Sequence, residues 1–414
     1  MGIILRYRGF RSVWLGQLFS QFGNAVFMIM ALWEIQLRQP ALLAVAGLAM
    51  VLPSLLAAFG GVLVDRRNPG RLMLWTDVLR GLAVALGLCA LLIPGSLAAV
   101  TIALLAVNSL GSALFGPAEM VVVPRLVSAQ DLAGANGIYN LTYQLSNAIG
   151  SALGGAAIAA VGVAWVFGFD MASFWISAAA IMLMLRTFAW EPRGTSDEHA
   201  GAEPGGFLSS LAAGWTTLKE LPGILRMMPI VVLTNFAYMA AFTMLPYWIH
   251  HELHAGAATF GLIDAGWATG LIVGGVLTAR FHRWPLRTSS SLMFGAQSLL
   301  LLAFPFASAS WLAGGLLLAA GIGNGIGNAL MFTMLQQLTP EDVRGRAFGL
   351  LFTLFGIANP LGSLAAGLAL GHVPLIFSWL VAGLTGIWLA ASIWRSVPSD
   401  LGIAQPATSQ PEIS

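Results

Sequence analysis

The sequence predicts an all-α membrane protein with twelve transmembrane helices that form two pseudo-symmetric halves of six helices each. Of its 414 residues, 58% are apolar and only 9% are charged, and the mean hydropathy is +0.83. A water-soluble protein needs far more charge on its surface. The apolar residues are grouped into about twelve stretches that are long enough to cross a bilayer. A short sequence near residue 61 also recurs about 214 residues further on, which indicates two related halves.

Each apolar stretch is expected to form one span. Spans 1 to 6 are predicted at residues 12–36, 41–64, 72–93, 97–116, 137–161 and 163–185. Spans 7 to 12 are predicted at residues 230–249, 258–279, 288–306, 310–335, 347–370 and 375–394. The first stretch is longer than the core of a signal peptide and has no small-residue cleavage site, so we expect it to be a retained helix.

These spans divide the chain into four parts. Residues 1–188 are predicted to form the N-terminal half and residues 229–396 the C-terminal half. The hydrophilic stretch at 189–228 is predicted to be a cytoplasmic linker with an amphipathic helix on the membrane surface. The polar tail at 397–414 is expected to be disordered.

Basic residues lie almost entirely on one side of this predicted topology. The chain has nineteen Lys and Arg residues, and only Arg38 falls on the other side. Cytoplasmic loops carry an excess of Lys and Arg. We therefore expect a multi-pass protein of the inner (plasma) membrane with both termini in the cytoplasm. The single cysteine, Cys89, excludes an internal disulfide framework.

The repeated sequence surrounds a basic hairpin between spans 2 and 3. Three residues of the first copy recur in the second, namely Gly61, Leu63 and Arg66 as Gly275, Leu277 and Arg280. Only the first copy carries an acid, Asp65, because Ala279 occupies the matching position. The acid is therefore expected to have a role in one half alone.

This hairpin also carries a family resemblance. Gly61-x-Leu63-x-Asp65-Arg66, followed by Arg71, resembles the signature between helices 2 and 3 of the major facilitator superfamily. The next residues, Thr76-Asp77-Val78-Leu79-Arg80-Gly81, resemble the branch that contains bacterial macrolide-efflux and enterobactin-export proteins. The resemblance implies the major facilitator fold, in which helices 1, 4, 7 and 10 surround a central cavity.

The resemblance further implies a conformational latch on the cytoplasmic side. Asp65 is expected to dock at the start of helix 11 when that side is closed, since a helix N-terminus favours a carboxylate. Two arginines at that start would strengthen the contact. The residues expected to form the latch are Gly61, Asp65, Arg66, Arg71, Asp77, Arg80, Arg344 and Arg346.

Four acids lie within the predicted spans, and charge at depth in a membrane usually marks a pathway, a relay or a buried pair. Asp264 has no basic residue within one helical turn. An isolated carboxyl group in a low-dielectric site favours its protonated form, which suits a proton carrier. Asp264 is therefore the first candidate for proton coupling. The alternative is an acid that lines the outer vestibule.

The other three acids are expected to have structural roles first. Asp77 and Arg80 are three residues apart on one helix and can form a pair. Asp170 is expected to make a hydrogen bond to a neighbouring helix, and Glu34 is expected to extend towards the membrane interface. Glu34 and Asp170 are also the second and third candidates for proton coupling.

Neutral polar residues form stripes along several spans, and such stripes avoid lipid. Some of them are expected to bond between helices, and the others to line the central cavity. The candidates for the substrate cavity are Gln21, Asn24, Asn140, Gln144, Asn147, Asn235, Tyr238, Asn324 and Asn328. Gly150-Ser151-x-x-Gly154-Gly155 resembles an element of superfamily antiporters, with Ser151 in place of its proline.

The function expected from these features is secondary active transport, with proton-coupled export of drug-like or natural-product amphipathic molecules by alternating access. A siderophore or lysolipid exporter of the same fold is the alternative, and an intramembrane enzyme or a transport-dead receptor would be a different class. The chain contains no Walker A motif. We expect no cofactor or metal and no nucleic-acid partner; the expected partners are the substrate, protons and the lipid bilayer, with the protein a monomer.

Overall fold

The structure, a computed structural model, confirms the all-α membrane fold. It describes residues 2–51, 68–128, 130–187, 215, 216, 219, 221–281, 284–399 and 401. Helices α1 to α6 are Arg8–Arg38, Leu43–Val51, Pro69–Ala90, Leu97–Leu126, Leu132–Val161 and Val163–Thr187. Helices α7 to α12 are Pro222–Thr243, Ala257–Leu277, Leu286–Ala303, Ser310–Leu338, Glu341–Ala369 and Ile376–Ser396. They follow spans 1 to 12 in order. Two short helices, Gly2–Arg6 and Leu245–His251, precede α1 and follow α7.

Ten of these helices are long and apolar enough to cross a membrane. The other two, α2 and α11, contribute the shorter apolar segments Pro40–Met50 and Thr353–Ala369 within the described residues. The chain is therefore a multi-pass membrane protein.

Two of the helix boundaries that differ most from the prediction involve proline, which has a different effect at each. Span 4 was predicted to end at residue 116, but α4 continues through Pro117 to Leu126 because its buried face still packs against the first half. Span 7 was predicted to begin at residue 230, but α7 begins at Pro222, since proline is well suited to the first turn of a helix.

The two halves repeat the same helix contacts. In the first half, α6 packs against α1 and α3, α5 packs against α1, and α4 packs against α2 and α3. In the second half, α12 packs against α7 and α9, α11 packs against α7, and α10 packs against α8 and α9. Each pair in one half thus has its counterpart six helices later. This is the pseudo-symmetry that the sequence repeat predicted.

The termini of the helices define two sides of the bundle. α1 begins on the same side as α5, because Arg6 and Tyr7 both bond to Asp131 at the start of α5, at 2.8 and 2.9 Å. Arginines cluster at the helix ends of this side, which we call the arginine-rich side. Arg38 lies at the other end of α1, on what we call the opposite side.

Small residues allow α8 and α10 to approach closely within the second half. A Cβ atom at Gly270 would overlap the carbonyl oxygen of Leu318 and would lie 2.9 Å from the Cα atom of Gly321. Gly275, on the same helix, has nothing within 4 Å of such an atom. Close backbone packing of this kind is a main source of helix association in membranes.

We predict that Gly270→Ala lowers the free energy of unfolding by about 1–3 kcal/mol, because the added methyl group meets the α10 backbone and the two helices must separate. Thermal unfolding of the detergent-purified protein measures the effect. Gly275→Ala is the matched control and should be neutral or slightly stabilising, since alanine is the better helix former. Equal stability of the two variants would contradict the packing argument.

Candidate functional site

A polar stripe on α5 passes from exposed to buried along the helix. Asn136 and Asn140 are exposed, Tyr143 is 53% exposed, Asn147 is half-buried and Ser151 is 5% exposed. The exposed residues are those nearer the arginine-rich side. The stripe therefore faces a space that is open on the arginine-rich side and closed on the opposite side.

In the first half this space includes a cavity of about 210 Å³. Its polar wall comes from α1, α4 and α5. The cavity residues that the sequence predicted and that lie in this wall are Gln21, Asn24 and Asn147. Asn108 and Ser112 of α4 also line the cavity and were missed, although an amide and a hydroxyl within an apolar span were visible signals.

In the second half a cavity of about 270 Å³ combines amides with aromatic rings. All four residues predicted there line it, namely Asn235, Tyr238, Asn324 and Asn328. Trp267 and Phe242 supply a ring pair with centroids 4.6 Å apart. Asn359 of α11 also lines the cavity and was missed, because helix 11 was not among the helices that the resemblance places around the cavity.

Hydrogen bonds hold part of this amide wall in place. Asn328 donates to the Asn324 side-chain oxygen at 2.7 Å, and Asn324 donates to the Gln297 side-chain oxygen at 3.2 Å. Asn324 is only 8% exposed, so its amide is largely used inside the protein. Asn140 and Gln144, also predicted as cavity residues, line neither of the two cavities.

Neither cavity wall contains a charged side chain among its lining residues. Amides offer donors and acceptors, and the aromatic and methionine side chains offer apolar contact. The arrangement can therefore hold a molecule that has both apolar surface and neutral hydrogen-bonding groups.

The two halves are joined on the opposite side by α5 and α8. The Ser151 hydroxyl donates a hydrogen bond of 2.6 Å to the Asp264 carboxylate. One turn further along, Gly155 and Gly261 bring the two backbones together, since a Cβ atom at either glycine would lie 3.0 Å from the Cα atom of the other. The sequence showed no basic residue within one turn of Asp264, and the partner that the structure adds is a serine from another helix.

Two further contacts close the same side. On α2, Gly47 packs against Ser363 of α11. Trp33 of α1 stacks on Phe260 of α8, with ring centroids 6.0 Å apart, and meets the edge of His250 at 5.8 Å. These contacts seal the bundle where the polar stripe of α5 becomes buried.

The membrane-embedded pair on α3 is present as predicted. Arg80 lies 3.5 Å from the Asp77 carboxylate, and the other carboxylate oxygen of Asp77 accepts a 2.6 Å bond from Ser177. Arg80 also donates to the backbone carbonyl of Asn108 and to the Ser112 hydroxyl, both at 2.8 Å. The pair is therefore fixed against α4 and α6.

The prediction that Asp170 bonds to a neighbouring helix was wrong, and Glu34 has a partner on its own helix. Asp170 is fully buried, and neither of its carboxylate oxygens has a hydrogen-bond partner among the described residues. Glu34 is 8% exposed and accepts a 3.1 Å bond from Arg38, one helical turn later at the end of α1. This pairing leaves Glu34 less available as a proton carrier.

One embedded acid was missed by the sequence analysis. Glu119 lies on the part of α4 beyond residue 116, where no span was predicted. It is close enough to Asp77 and to Tyr139 of α5 for electrostatic interaction. The signal available in the sequence was the apolar run on either side of Glu119.

The expected latch falls largely outside the described residues. Gly61, Asp65 and Arg66 are not among them, and the side chains of Arg344 and Arg346 are not described. Arg71 is described and is exposed in the first turn of α3, where its backbone N–H donates to the Asn68 side chain at 3.1 Å. Asn68 thereby caps the helix that follows the hairpin.

The comparisons with known proteins agree with this architecture. A family model described as Major Facilitator Superfamily matches residues 13–363. The chain is 26% identical over 367 residues to the multidrug efflux pump Tap of Mycobacterium tuberculosis. The alignment covers 83% of each chain. It is 30% identical over 295 residues to the enterobactin exporter EntS of Citrobacter koseri, covering 70% of this chain and 67% of that one.

Two further proteins match nearly the whole chain. Macrolide efflux protein A of Streptococcus pyogenes is 23% identical over 399 residues, covering 92% of this chain and 94% of that one. Among solved structures, a bacterial homologue of the iron transporter ferroportin in an inward-facing state has a TM-score of 0.72 at 17% sequence identity. The match covers 94% of this chain and 99% of that one. That structural match supports the fold.

We predict that Ser151→Ala shifts the population towards conformations that are open on the opposite side, by about 1–3 kcal/mol, because the buried Asp264 carboxyl group loses its hydrogen-bond donor. Spin labels at the opposite-side ends of α5 and α8 measure the change as a longer distance. Thr101→Ala is the control, because the Thr101 hydroxyl bonds only within α4, to the Leu97 carbonyl at 2.7 Å. An unchanged distance distribution in Ser151→Ala would show that the bond does not hold the halves together.

Proposed function

The chain belongs to the major facilitator superfamily and is a transporter rather than an enzyme, and from its cavities we propose that it exports uncharged amphipathic molecules in exchange for protons. The observation that carries this proposal is the uncharged wall of amides, aromatic rings and methionines in both halves. Such a wall gives a large neutral molecule both apolar contact and hydrogen bonds.

The direction of transport is supported by the relatives. The pump Tap, the enterobactin exporter and the macrolide efflux protein are all named for export. We propose that the arginine-rich side faces the cytoplasm, since eighteen basic residues were predicted there by the topology. The space along α5 would then take up its cargo from the cytoplasm.

A siderophore or lysolipid cargo is the second proposal, supported by the similarity to the enterobactin exporter. A siderophore binds metal through acidic oxygen atoms, and an anionic cargo is best held by cations. The residues lining the two cavities include no cation, which favours the neutral cargo.

The test is an accumulation and resistance assay in expressing cells, with a panel that contains a macrolide, a catecholate siderophore and a lysophospholipid. We expect lower accumulation of the macrolide, and we expect a protonophore to abolish the difference. Export of the anionic siderophore alone would favour the second proposal. Absence of flux for every compound would favour a transport-dead receptor.

Proton coupling is proposed to use Asp264 at the contact between the halves. When the opposite side opens, Ser151 and Asp264 separate, and water from the exterior can protonate the carboxylate. The neutral group can then return into the closed contact, where a charge would resist burial. Protonation and the closure of the opposite side are thereby linked, and the proton must leave to the cytoplasm before the opposite side opens again.

We predict that Asp264→Asn abolishes gradient-driven accumulation but leaves substrate binding and passive exchange intact, because asparagine keeps the hydrogen bond and cannot carry a proton. Transport into everted vesicles under an imposed pH gradient measures the loss. Glu34→Gln is the control and should transport like the wild type, since Glu34 is paired with Arg38. Unchanged pH-driven transport in Asp264→Asn would place the coupling group elsewhere.

We predict that Asp65→Asn moves the population towards the inward-open state by about 1–3 kcal/mol, because it removes a charge from the proposed contact with the start of α11. Labels on the cytoplasmic ends of α2 and α11 report the distance. The same labels in Arg186→Gln, a change at an exposed residue of α6 outside the latch, serve as the comparison and should show an unchanged distance. No shift in Asp65→Asn would remove the latch from the mechanism.

A further inference from the structure

A buried ionic cluster lies inside the first half, away from the contact between the halves. It consists of Asp77 and Arg80 of α3 and Asp170 of α6, which we call the α3–α6 cluster. Asp77 and Asp170 are 0% exposed and Arg80 is 4% exposed. Arg80 interacts electrostatically with both carboxyl groups, so the two acids share one guanidinium group in the interior of a membrane bundle.

The pairing within the cluster is unequal. Asp77 has both an ion pair with Arg80 at 3.5 Å and a 2.6 Å hydrogen bond from Ser177. Asp170 has neither, and both of its oxygens are buried without a hydrogen-bond partner among the described residues. Burying an ionised carboxylate without a partner is costly, whereas a neutral carboxyl group is tolerated more easily.

Within the part of the chain that the structure describes, the surroundings of Asp170 supply no second cation. α1 presents Gly23 there, where a Cβ atom would lie 3.1 Å from an Asp170 oxygen. The charged residues of α1 at that end, Glu34 and Arg38, pair with each other three to four helical turns from Gly23. On α3 the charged groups are Asp77 and Arg80, and Arg80 interacts electrostatically with Asp170. Glu119 of α4 interacts with Asp77 and with Tyr139 of α5.

Arg80 connects the cluster to the wall of the first cavity. Its guanidinium group donates to the Asn108 carbonyl and the Ser112 hydroxyl, and both residues line that cavity. Gly111 makes room for it, because a Cβ atom there would overlap the guanidinium group. The ring of Phe174 covers it, with the guanidinium carbon 5.4 Å from the ring centroid.

We propose that Asp170 is a proton-binding site that acts on the cavity through Arg80. In the structure, Arg80 balances Asp77, and Asp170 holds the proton. When Asp170 releases that proton, a second negative charge faces Arg80, and the guanidinium group turns towards it and away from Asn108 and Ser112. The α4 wall of the cavity then changes with the protonation of a group that the cargo never touches.

This inference deepens the proposed function, since it gives the exchanged protons a site in addition to Asp264. Glu119 lies between the α3–α6 cluster and the arginine-rich end of α4, and it interacts electrostatically with Asp77. It is therefore placed on the route by which a proton from Asp170 would reach that side.

Infrared difference spectroscopy of the purified protein in lipid vesicles, titrated with pH and without substrate, tests the proposal. A protonated carboxyl group gives a carbonyl band that disappears when the proton leaves. The spectra are recorded in an Asp264→Asn background, so that the proposed protonated carboxyl group of Asp264 contributes no band. We expect this background to show a carbonyl band and the added Asp170→Asn change to remove it. Glu34→Gln is the matched control and should retain it, because Glu34 lies outside the cluster.

A second variant keeps the test decisive if Asp170→Asn does not fold. Asp77→Asn leaves Asp170 in place but removes the competing carboxylate, so Arg80 can pair with Asp170. We expect the same band to disappear, although Asp170 itself is unchanged. A band that persists in either variant, once size-exclusion chromatography has shown that variant to be folded, overturns the proposal.

The spectra do not depend on transport, so this test and the proposed function can fail separately. Loss of the band in a protein that exports nothing would support the proton site and contradict the exporter. Export that collapses with a protonophore, together with a spectrum that Asp170→Asn leaves unchanged, would support the exporter and contradict the site.

Discussion

The contact between α5 and α8 determines how the rest of the bundle is arranged. Lipid provides little hydrophobic drive for helix association, so close backbone packing and interhelical hydrogen bonds must join the two halves. Gly155 and Gly261 bring the backbones together, and Ser151 donates to Asp264 across the same interface. Because this contact lies on the opposite side, the polar stripe of α5 is exposed only towards the arginine-rich side. The cavities, their access and the position of one embedded acid all follow from it.

Among the described residues, no charged side chain lines either cavity, and the charged Arg80 side chain lies behind the wall of the first one. Amides, rings and methionines face the cavities, while Arg80 lies one layer deeper and bonds to Asn108 and Ser112. This separation has a physical advantage. A charge in the wall would select an oppositely charged cargo, whereas a charge behind it can respond to protons and still leave the wall neutral. Cargo selection and proton binding can thus use different residues of one half.

Helix positions were predicted well because each depends on a local property, the length of an apolar stretch. The error at α4 has the same origin. Pro117 and Glu119 end the apolar stretch in the sequence, but Ala118 and Val122 continue to pack against the first half, and the helix runs on to Leu126. The roles of the acids were harder to predict. Glu34 proved to be paired one turn away on its own helix, while Asp264 found its partner 113 residues earlier in the chain.

The sequence by itself determined the membrane fold, the two related halves and the family, since hydropathy, basic-residue placement and the Gly61 signature are properties of consecutive residues. Seven of the nine polar residues that it predicted for the substrate cavity line one of the two cavities. Only the tertiary structure decided which acids have partners. It placed Ser151 beside Asp264 and left Asp170 without a hydrogen bond beside the Asp77–Arg80 pair. The reason is physical: the stability of a buried charge depends on the groups within a few ångströms of it, and in this bundle those groups come from helices that are distant in the chain.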